Sequence, residues 1–540
     1  MSDKKADETD SHNDLDYVLS DVGEFGIYQI GQCIAMVLPI ILSATYAVEF
    51  IVTSSTDDYR CAIPECEWLN NTIYDQNWLS HAIPFKNGRP KKCSRFGTSH
   101  QSAPDGQCPK SLFNESNVIG CNEYVFKTDE YRIMREFGIL CDENEYKLAL
   151  VGTVNNIGGF LFMPLTGLLS DKFGRLTVLI VGMVSCAIFG LIKAFVGSYM
   201  WYMVLEFLCA AVGTTTYMAA FVLCVEWVSS KYRILASTTI AATYPGGEIL
   251  LGVMAMLLPN YRAFLSAIYT PALLLAFYFW LVPESTRWLI ATGQYERAMK
   301  ILKRTAKQNN REMSEKSMEI VRNSCTDAKG SGKNGENDCS SIIAIFQNKI
   351  LLIRLIMCSL CWISVVFVFY GLSVNATKIT DDSNKYLSYI TTMAAEVPAA
   401  LITFFMLKYI GRRTAMCCTM TIAASVTILS TFVPSHYTLI IRIMFFVGMC
   451  ATSSSFAILY VFSAEIWPTG MRNLLMNICS MIGRFGSMLA PLAILLSHYK
   501  QNLPLLLFGS AALICGFIIF MLPETKGKKL PHTVQDAIKL

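Results

Sequence analysis

The chain has 540 residues, of which 53% are hydrophobic and 16% are charged, and its mean hydropathy is +0.40. Charged residues make up about 25% of soluble domains, so this composition excludes an ordinary soluble protein and indicates a polytopic membrane protein. The formal net charge of +4 is small and spread over loops, whereas nucleic-acid binding needs a concentrated basic face.

The chain begins with an acidic segment, residues 1–26, which contains no apolar stretch. A secretory signal peptide needs such a stretch. We therefore expect no cleaved signal peptide, and a first apolar segment that directs its own insertion.

Apolar runs long enough to cross a bilayer, which takes about 17–25 residues, recur along the chain. They predict an all-α membrane protein with 12 transmembrane helices. These helices fall into an N-terminal six-helix half, residues 27–283, and a C-terminal six-helix half, residues 350–522. The predicted spans are 27–51, 147–169, 176–196, 199–225, 235–258, 262–282, 350–374, 385–407, 415–433, 438–463, 473–497 and 503–522.

Lysine and arginine are concentrated in alternate short loops, which predicts that these loops face the cytoplasm. The same side then holds both termini, residues 1–26 and 523–540, and the central loop, residues 284–349. The charges on which this orientation depends are Lys172, Arg175, Lys231, Arg233, Lys408, Arg412, Arg413 and Arg472.

The long polar loop between the first two spans, residues 52–146, is predicted to lie outside the cell. It contains six cysteines and two glycosylation sequons, at Asn70 and Asn114. Since the exterior is oxidising, the even number of cysteines favours three disulfides, although the sequence does not choose the pairing. Six free thiols, or a zinc site, are the alternatives. The cysteines are Cys61, Cys66, Cys93, Cys108, Cys121 and Cys141.

The central loop, residues 284–349, contains a basic helical stretch at 295–308. It is followed by a linker at 325–340, rich in Gly, Ser, Asn and Lys, which we expect to be disordered. The basic stretch either touches anionic lipid or is a solvated cytoplasmic face.

Short polar motifs in the first half return in the second half at a nearly constant offset. Gly174-Arg175 and Gly411-Arg412 are 237 residues apart, and the pairs Glu226/Arg233 and Glu465/Arg472 are 239 residues apart. Agreement in both order and spacing indicates a duplicated half. Parallel halves related by an axis along the membrane normal are a transporter architecture.

The duplicated motifs predict a gate at the cytoplasmic ends of the spans. Glycine permits a tight turn, and the acids and arginines of neighbouring helix ends can pair to lock one state of a bistable element. The alternative is a plain accumulation of charge on the cytoplasmic side. The gate candidates are Asp171, Gly174, Arg175, Glu226 and Arg233 in the first half, and Gly411, Arg412, Arg413, Glu465 and Arg472 in the second.

The motifs resemble those of the major facilitator superfamily: Asp171-Lys-Phe-Gly-Arg175, Pro283-Glu-Ser-Thr-Arg-Trp-Leu289 and Pro523-Glu-Thr-Lys-Gly527. With the cysteine-rich first loop and Ala464-Glu-Ile-Trp-Pro-Thr-Gly-Met-Arg-Asn473, the chain resembles the organic cation, carnitine and organic anion transporters. The resemblance implies a plasma-membrane uniporter or symporter for small organic ions, with one central site between two rocking halves.

Members of that family differ at two positions within the predicted spans, and both positions carry a charge in this chain. Arg484 resembles the anion and carnitine branches, whereas Glu396 resembles the cation and carnitine branches. Anion transporters often carry a lysine where Ala400 stands here. The combination is closest to the carnitine-type branch, in which an acid faces an ammonium and a base faces a carboxylate. The alternative is that Arg484 and Glu396 pair with each other.

Aromatic residues fit a quaternary ammonium substrate, because a cation is attracted to an aromatic face by roughly 0.5–2 kcal/mol. We expect Tyr217, Trp362, Phe369 and Tyr370 to contact substrate, although each one could instead face lipid. The other charges in the spans, at Glu49, Glu206 and Glu248, are either site or proton-relay candidates or structural pairs.

The favoured hypothesis is an organic cation or zwitterion transporter. The alternative hypotheses are an organic anion transporter, a sugar porter, and a non-transporting receptor of the same fold. An enzyme is not expected, since no nucleophile–base constellation, catalytic residue or metal-ligand spacing is visible. We expect no cofactor, while sodium and proton both remain open as coupling ions. The expected partners are a small organic ion and the lipid bilayer, with no nucleic acid, and the sequence does not indicate an oligomeric state.

Overall fold

A computed structural model describes most of the chain. The described residues are 16–67, 73–86, 89–98, 108–229, 231–330, 348–377, 385–434, 436–468, 472–500, 502–528, 531 and 537–538.

The predicted all-α membrane fold is confirmed. Eleven helical segments among the described residues are long and apolar enough to cross a membrane, and one further helix occupies the predicted fifth span. The spans, numbered in chain order, are Ile27–Thr53, Tyr146–Phe173, Arg175–Phe195, Tyr199–Trp227, Arg233–Leu257, Tyr261–Leu281, Lys349–Asn375, Lys385–Tyr409, Arg412–Ser430, Thr438–Ile466, Arg472–His498 and Leu503–Phe520.

Within the described part of the chain, three spans are interrupted, in each case near a proline. Span 6 passes through a 3-10 turn at Leu274–Phe277 after Pro271, and span 11 ends in a 3-10 turn at Ile494–His498 after Pro491. Span 8 consists of two helices, Lys385–Ala394 and Glu396–Tyr409. Pro398 explains this last break, because its ring lacks an N–H and clashes with the carbonyl four residues earlier.

The two ends of the spans are distinct, and we name them by what they carry. The loop end carries residues 54–145, and the turn end carries the turns at Gly174 and Gly411. Contacts between the two halves occur where span 2 meets span 11 and span 5 meets span 8. At the loop end the Thr153 hydroxyl donates to the Met488 carbonyl over 3.1 Å, and Gly252 packs directly against Tyr389 and Ile390.

The loop between spans 1 and 2 is a small disulfide-linked unit, as expected. Its strands are Tyr59–Cys61 (β1), Phe85–Lys86 (β2), Arg89–Pro90 (β3), Ser94–Thr98 (β4), Phe113–Gly120 (β5) and Tyr124–Phe126 (β6), paired β1–β6, β2–β3 and β4–β5, all antiparallel. Short helical segments lie at Leu79–Ala82, Lys110–Leu112 and Ile133–Glu136. The disulfides are Cys61–Cys121, Cys66–Cys108 and Cys93–Cys141, which gives the pairing that the sequence left open.

The two predicted glycosylation sequons have different standing. Asn114 is exposed on β5, whereas Asn70 lies outside the described residues. Sugar on either asparagine stays a prediction.

At the turn end, the N-terminal half carries a separate helical layer. Helices Thr286–Ala291, Tyr295–Gln308 and Glu315–Gly330 pack together with a short helix at 16–21 around a small apolar core. The prediction of a disordered linker at 325–340 is therefore wrong for the first residues of that range. Cys325 is buried in this core and the helix continues to Gly330, while residues 331–347 lie outside the described part.

Candidate functional site

Tyrosines from both halves meet in the middle of the molecule. Tyr217 on span 4 and Tyr244 on span 5 form an edge-to-face pair with ring centroids 5.2 Å apart. Tyr370 on span 7 and Tyr460 on span 10 come from the other half, close enough to interact electrostatically with Tyr244 and Tyr217 respectively. These four rings therefore lie together at the interface between the halves.

Arg484 on span 11 approaches this tyrosine group from the C-terminal half. The Tyr370 hydroxyl lies within hydrogen-bonding reach of the Arg484 guanidinium, and Tyr460 lies nearby. Within the described part of the chain, no carboxylate oxygen lies within 4.0 Å of the Arg484 nitrogens. The structure thus keeps Arg484 and Glu396 apart, rather than as the ion pair that the sequence also allowed.

Two predicted aromatic contacts have different positions. Phe369 is half-buried, with its ring centroid 5.5 Å from that of Tyr370, so it belongs to the tyrosine group. Trp362 is 1% exposed and donates from Nε1 to the Ser463 hydroxyl over 3.0 Å, with its ring 4.6 Å from that of Tyr460. Trp362 is therefore buried against span 10, where it packs on Tyr460. A substrate contact for Trp362 stays a prediction.

A pair of carboxyl groups faces across the interface between the halves. Glu248 on span 5 is 1% exposed and lies within hydrogen-bonding distance of Glu396 on span 8. Among described residues, Glu248 Oε2 and Glu396 Oε1 have no conventional hydrogen-bond donor. Tyr244 and Tyr389 are close enough to interact electrostatically with both acids. The break in span 8 places Glu396 at the start of its second helix, next to this pair.

The other two acids in the spans form a separate cluster inside the N-terminal half. Lys193 on span 3 contacts Glu49, and its Nζ lies 2.6 Å from Glu206 Oε2. Asn155 donates to the second Glu206 oxygen over 2.8 Å. All three charged side chains are fully buried and Lys193 contacts both acids, which matches the structural-pair alternative. The signal in the sequence was Lys193 itself, a base inside an apolar run.

At the turn end of the N-terminal half, Glu284 caps the start of span 3. The Glu284 carboxylate accepts from the backbone nitrogens of Arg175 and Leu176, both at 3.1 Å. The Arg175 guanidinium in turn contacts Asp171 at 3.0 Å and Glu226 at 3.3 Å. Burial raises the pKa of Glu284 although these backbone bonds oppose that effect.

The C-terminal half repeats the arrangement at the start of span 9. Glu524 accepts from the backbone nitrogens of Arg412 at 2.9 Å and Arg413 at 3.2 Å, and the Arg412 guanidinium lies 2.9 Å from Glu465. Thr525 also donates to Glu465 over 2.6 Å. Burial tends to raise the pKa of Glu524, but backbone hydrogen bonds from Lys526, Arg412 and Thr525 outweigh burial and lower the pKa. The sequence paired these motifs by offset but did not show that Glu284 and Glu524 cap helices.

The remaining gate candidates are placed differently in the two halves. Arg233 lies 3.4 Å from Asp16, which also contacts Arg287 at 2.7 Å, so it is tied to the helical layer at the turn end. Over the described ranges, Nε and Nη2 of its counterpart Arg472 have no hydrogen-bond partner. The duplication is therefore close at the Gly-Arg turns and weak at these two arginines.

At the loop end, an ionic clasp joins the two halves. Glu130, from the loop of the N-terminal half, lies 2.8 Å from the Lys385 ammonium at the start of span 8. It also accepts from the Tyr386 hydroxyl over 2.6 Å, and Tyr386 accepts from Arg132 over 2.9 Å. Burial by itself raises the pKa of Glu130, but Lys385, Tyr386 and Arg132 outweigh burial and hold that pKa below its ordinary value. The clasp is therefore ionised at neutral pH.

A family model for "Sugar (and other) transporter" matches residues 122–536. The organic cation transporter protein of Drosophila melanogaster is 28% identical over 525 residues, covering 96% of this chain and 94% of that protein. Organic anion transporter 3 of Rattus norvegicus is 29% identical over 526 residues, with 96% and 94% covered. Solute carrier family 22 member 13 of Homo sapiens is 28% identical over 528 residues, with 96% and 92% covered.

Solved structures agree in fold. The partially occluded inward-open xylose transporter XylE of E. coli matches with a TM-score of 0.59 at 15% identity, covering 93% of this chain and 100% of that chain. The inward-open form of that transporter matches with a TM-score of 0.56 at 16% identity, covering 74% and 92%. These relatives are transporters and not enzymes. The chain is therefore a multi-pass membrane protein of the sugar (and other) transporter family, within the major facilitator superfamily, and its full-length relatives are organic cation and organic anion transporters.

Proposed function

We propose that the protein is a plasma-membrane secondary transporter that moves small organic cations or zwitterions, such as carnitine-like or other quaternary amines, by alternating access. The observation that carries this proposal is the interface between the halves. It brings together two carboxyl groups, Glu248 and Glu396, a group of tyrosines, and a separate guanidinium at Arg484.

The carboxyl pair and the tyrosines suit an ammonium group. Tyr244 lies beside the pair and makes an edge-to-face contact with Tyr217, so π-faces and negative charge occur together. Each aromatic face contributes roughly 0.5–2 kcal/mol to holding a cation. An alkylated ammonium, which donates few or no hydrogen bonds, is satisfied by such a surface.

Arg484, which contacts the tyrosine group, can bind a carboxylate. Its guanidinium contacts the neutral Tyr370 hydroxyl, so its charge is not neutralised by a neighbouring acid among the described residues. A guanidinium binds a carboxylate through two parallel hydrogen bonds. A zwitterion with its two charges separated by several bonds would bind the acids and Arg484 at the same time.

The contacts at the two ends support a rocking motion. The clasp of Glu130 with Lys385 joins the halves at the loop end, whereas Arg175–Glu226 and Arg412–Glu465 each connect spans within one half. A rocking motion about the central site would break the contact of Glu130 with Lys385. The contacts within each half would persist, so that each half moves as a body. We propose that the disulfide-linked loop end faces outward and that both termini are cytoplasmic.

Organic anion transport is the second candidate, and Arg484 is the observation that favours it. One of the relatives is named as an organic anion transporter, as well as one named as an organic cation transporter. A simple anion would bind Arg484 but would be repelled by the negative charge of the Glu248–Glu396 pair at the same interface. We therefore rank it behind a cation or zwitterion.

Uptake in a heterologous cell tests the proposal. Labelled tetraethylammonium, carnitine, a small amino acid and a dicarboxylate would be compared with and without sodium, normalised to surface protein. Uptake of the quaternary amine or carnitine, reduced at least tenfold by Glu396→Gln, is expected. Uptake of the dicarboxylate alone would contradict the proposal and support the anion transporter.

A further inference from the structure

We propose that the Glu248–Glu396 pair holds one exchangeable proton and that an organic cation binds there only when this proton leaves, so that the protein exchanges cations for protons. This inference rests on the proposed function, because it concerns the same residues at the interface between the halves. It adds an activity, proton antiport, and names the site that performs it.

The geometry requires a proton between the two acids. Glu248 is 1% exposed, it faces Glu396 within hydrogen-bonding distance, and one oxygen of each acid has no conventional donor among the described residues. Two carboxylates side by side and away from water repel each other strongly, so such pairs retain one proton between them. The shared proton also supplies the donor that these oxygens otherwise lack.

Among the residues that the structure describes, no positive side chain forms an ion pair with either acid. The titratable groups that face it are phenols: Tyr244 on the same span, Tyr389 on span 8 and Tyr370 on span 7. Phenols are neutral near pH 7, since they titrate near pH 10. Arg484 contacts Tyr370, and among the described residues no acid lies within 4.0 Å of its guanidinium nitrogens. This contrasts with Glu49 and Glu206, which share Lys193 between them.

An entering cation and the proton therefore compete for one place. A monovalent organic cation bound between the two carboxylates replaces the charge that the proton carried, so the site has the same net charge in both states. If the halves rock only when the acids are neutralised by one or the other, each cycle carries one cation in one direction and one proton in the other. The exchange conserves charge for a monovalent cation.

The site is also placed to couple binding to motion. Glu248 belongs to the N-terminal half and Glu396 to the C-terminal half, so the shared proton is itself a bond between the halves. One turn nearer the loop end, Gly252 packs against Tyr389 and Ile390 across the same interface. Loss of the proton without a replacing cation would leave two facing charges and push spans 5 and 8 apart.

The test uses the full chain reconstituted in phosphatidylcholine vesicles with labelled tetraethylammonium outside. An acidic interior should drive its accumulation by about tenfold per pH unit of gradient, and nigericin should abolish this. Glu248→Gln should lose the gradient-driven accumulation, whereas the conservative variant Glu248→Asp should retain it. Entry of tetraethylammonium that ignores the gradient in the unmodified protein, or a gradient effect that persists in Glu248→Gln, would overturn the inference.

A second readout separates failure of this inference from failure of the proposed function. If tetraethylammonium does not enter at all, cation transport is contradicted, and the shared proton is then judged by infrared spectroscopy at neutral pH. A protonated-carboxyl band that is lost in both Glu248→Gln and Glu396→Gln upholds the proton, and its absence in the unmodified protein overturns it. Thermal unfolding of each variant shows that the comparison is made on folded protein.

Discussion

Glu130 and Lys385 lie 2.8 Å apart and tie the disulfide-linked loop of one half to the first turn of span 8 in the other. Both side chains are mostly shielded, with 16% and 13% of their surface exposed. A partly buried, hydrogen-bonded ion pair of this kind contributes more than the roughly 0–1 kcal/mol of an exposed pair. The contact is therefore suited to hold the loop end closed.

Replacing Lys385 by alanine should open the loop end more often. We expect the balance of closed and open states to shift by about tenfold, the equivalent of about 1.4 kcal/mol. A cysteine placed at Tyr389, next to the carboxyl pair, should then react faster with an impermeant thiol reagent. Lys110→Ala is the matched control, since its pair with Glu115 is exposed on the same loop and does not join the halves. Equal reactivity in both variants would remove the closing role of the clasp.

The two Gly-Arg turns should differ in their tolerance of a side chain. Gly174 has φ +98° and ψ 152°, a region that is almost restricted to glycine, and an added Cβ would lie 2.3 Å from Glu284 Oε2. Gly411 has an extended backbone with φ −159°, and its Cβ would lie 2.6 Å from Glu524 Oε2.

Gly174→Ala therefore suffers both backbone strain and the loss of a helix cap, whereas Gly411→Ala suffers the second effect alone. We expect Gly174→Ala to be less stable than Gly411→Ala by about 1–3 kcal/mol. The measurement is the thermal unfolding of each purified variant in detergent. An order reversed between the two would show that the cap and not the backbone sets the cost.

The Arg412–Glu465 contact at 2.9 Å should matter for turnover more than for folding. Arg412→Ala removes the link between spans 9 and 10 and should slow net uptake about tenfold at matched surface levels, because the second half no longer moves as one body. Lys408→Ala removes a charge at the same turn end without touching this contact. Similar rates in Arg412→Ala and in the unmodified protein would exclude a gating role.

The three disulfides of the loop predict a defined set of linked peptides. Digestion without reduction should release Cys61 with Cys121, Cys66 with Cys108 and Cys93 with Cys141. We also expect sugar on Asn114, which is exposed on β5, if the loop faces outward. Labelling of any of these cysteines by an impermeant thiol reagent on intact, unreduced cells would contradict the pairing.

Hydrophobicity was enough to place the spans. The run predicted at 438–463 is helical over Thr438–Ile466, and the one predicted at 199–225 over Tyr199–Trp227. The errors at helix ends come from polar residues such as Arg412, whose backbone is capped by Glu524, so that span 9 begins three residues earlier than the apolar run indicates.

Partnerships between distant charges could not be predicted in the same way. Glu248 and Glu396 were each visible as acids in apolar runs, but their facing depends on how spans 5 and 8 pack across the halves. Lys193 lies in span 3 and contacts acids on spans 1 and 4, and no local pattern indicates these partners. Periodicity reports burial against some neighbour, and only the packing decides which neighbour it is.

Arg484 should decide whether the site prefers a cation or a zwitterion. At an effective dielectric constant of about 20, two unit charges 4 Å apart interact by about 4 kcal/mol. Arg484→Asp should therefore lower carnitine uptake far more than tetraethylammonium uptake, by at least tenfold in the ratio. Arg484→Lys should have a smaller effect, since it keeps the charge but loses the paired hydrogen bonds of the guanidinium.

The structure also predicts how Arg484 and Glu396 behave together. Because Arg484 contacts Tyr370 and Glu396 faces Glu248, the double exchange Glu396→Arg with Arg484→Glu should not restore uptake. Tyr370→Phe keeps the ring but removes the hydroxyl beside the guanidinium, so it should reduce carnitine uptake and leave tetraethylammonium uptake nearly unchanged. Uptake of both substrates by each variant, normalised to surface protein, checks this. Equal losses for both substrates, recovered by the double exchange, would make Arg484 a structural partner of Glu396 and remove it from the substrate site.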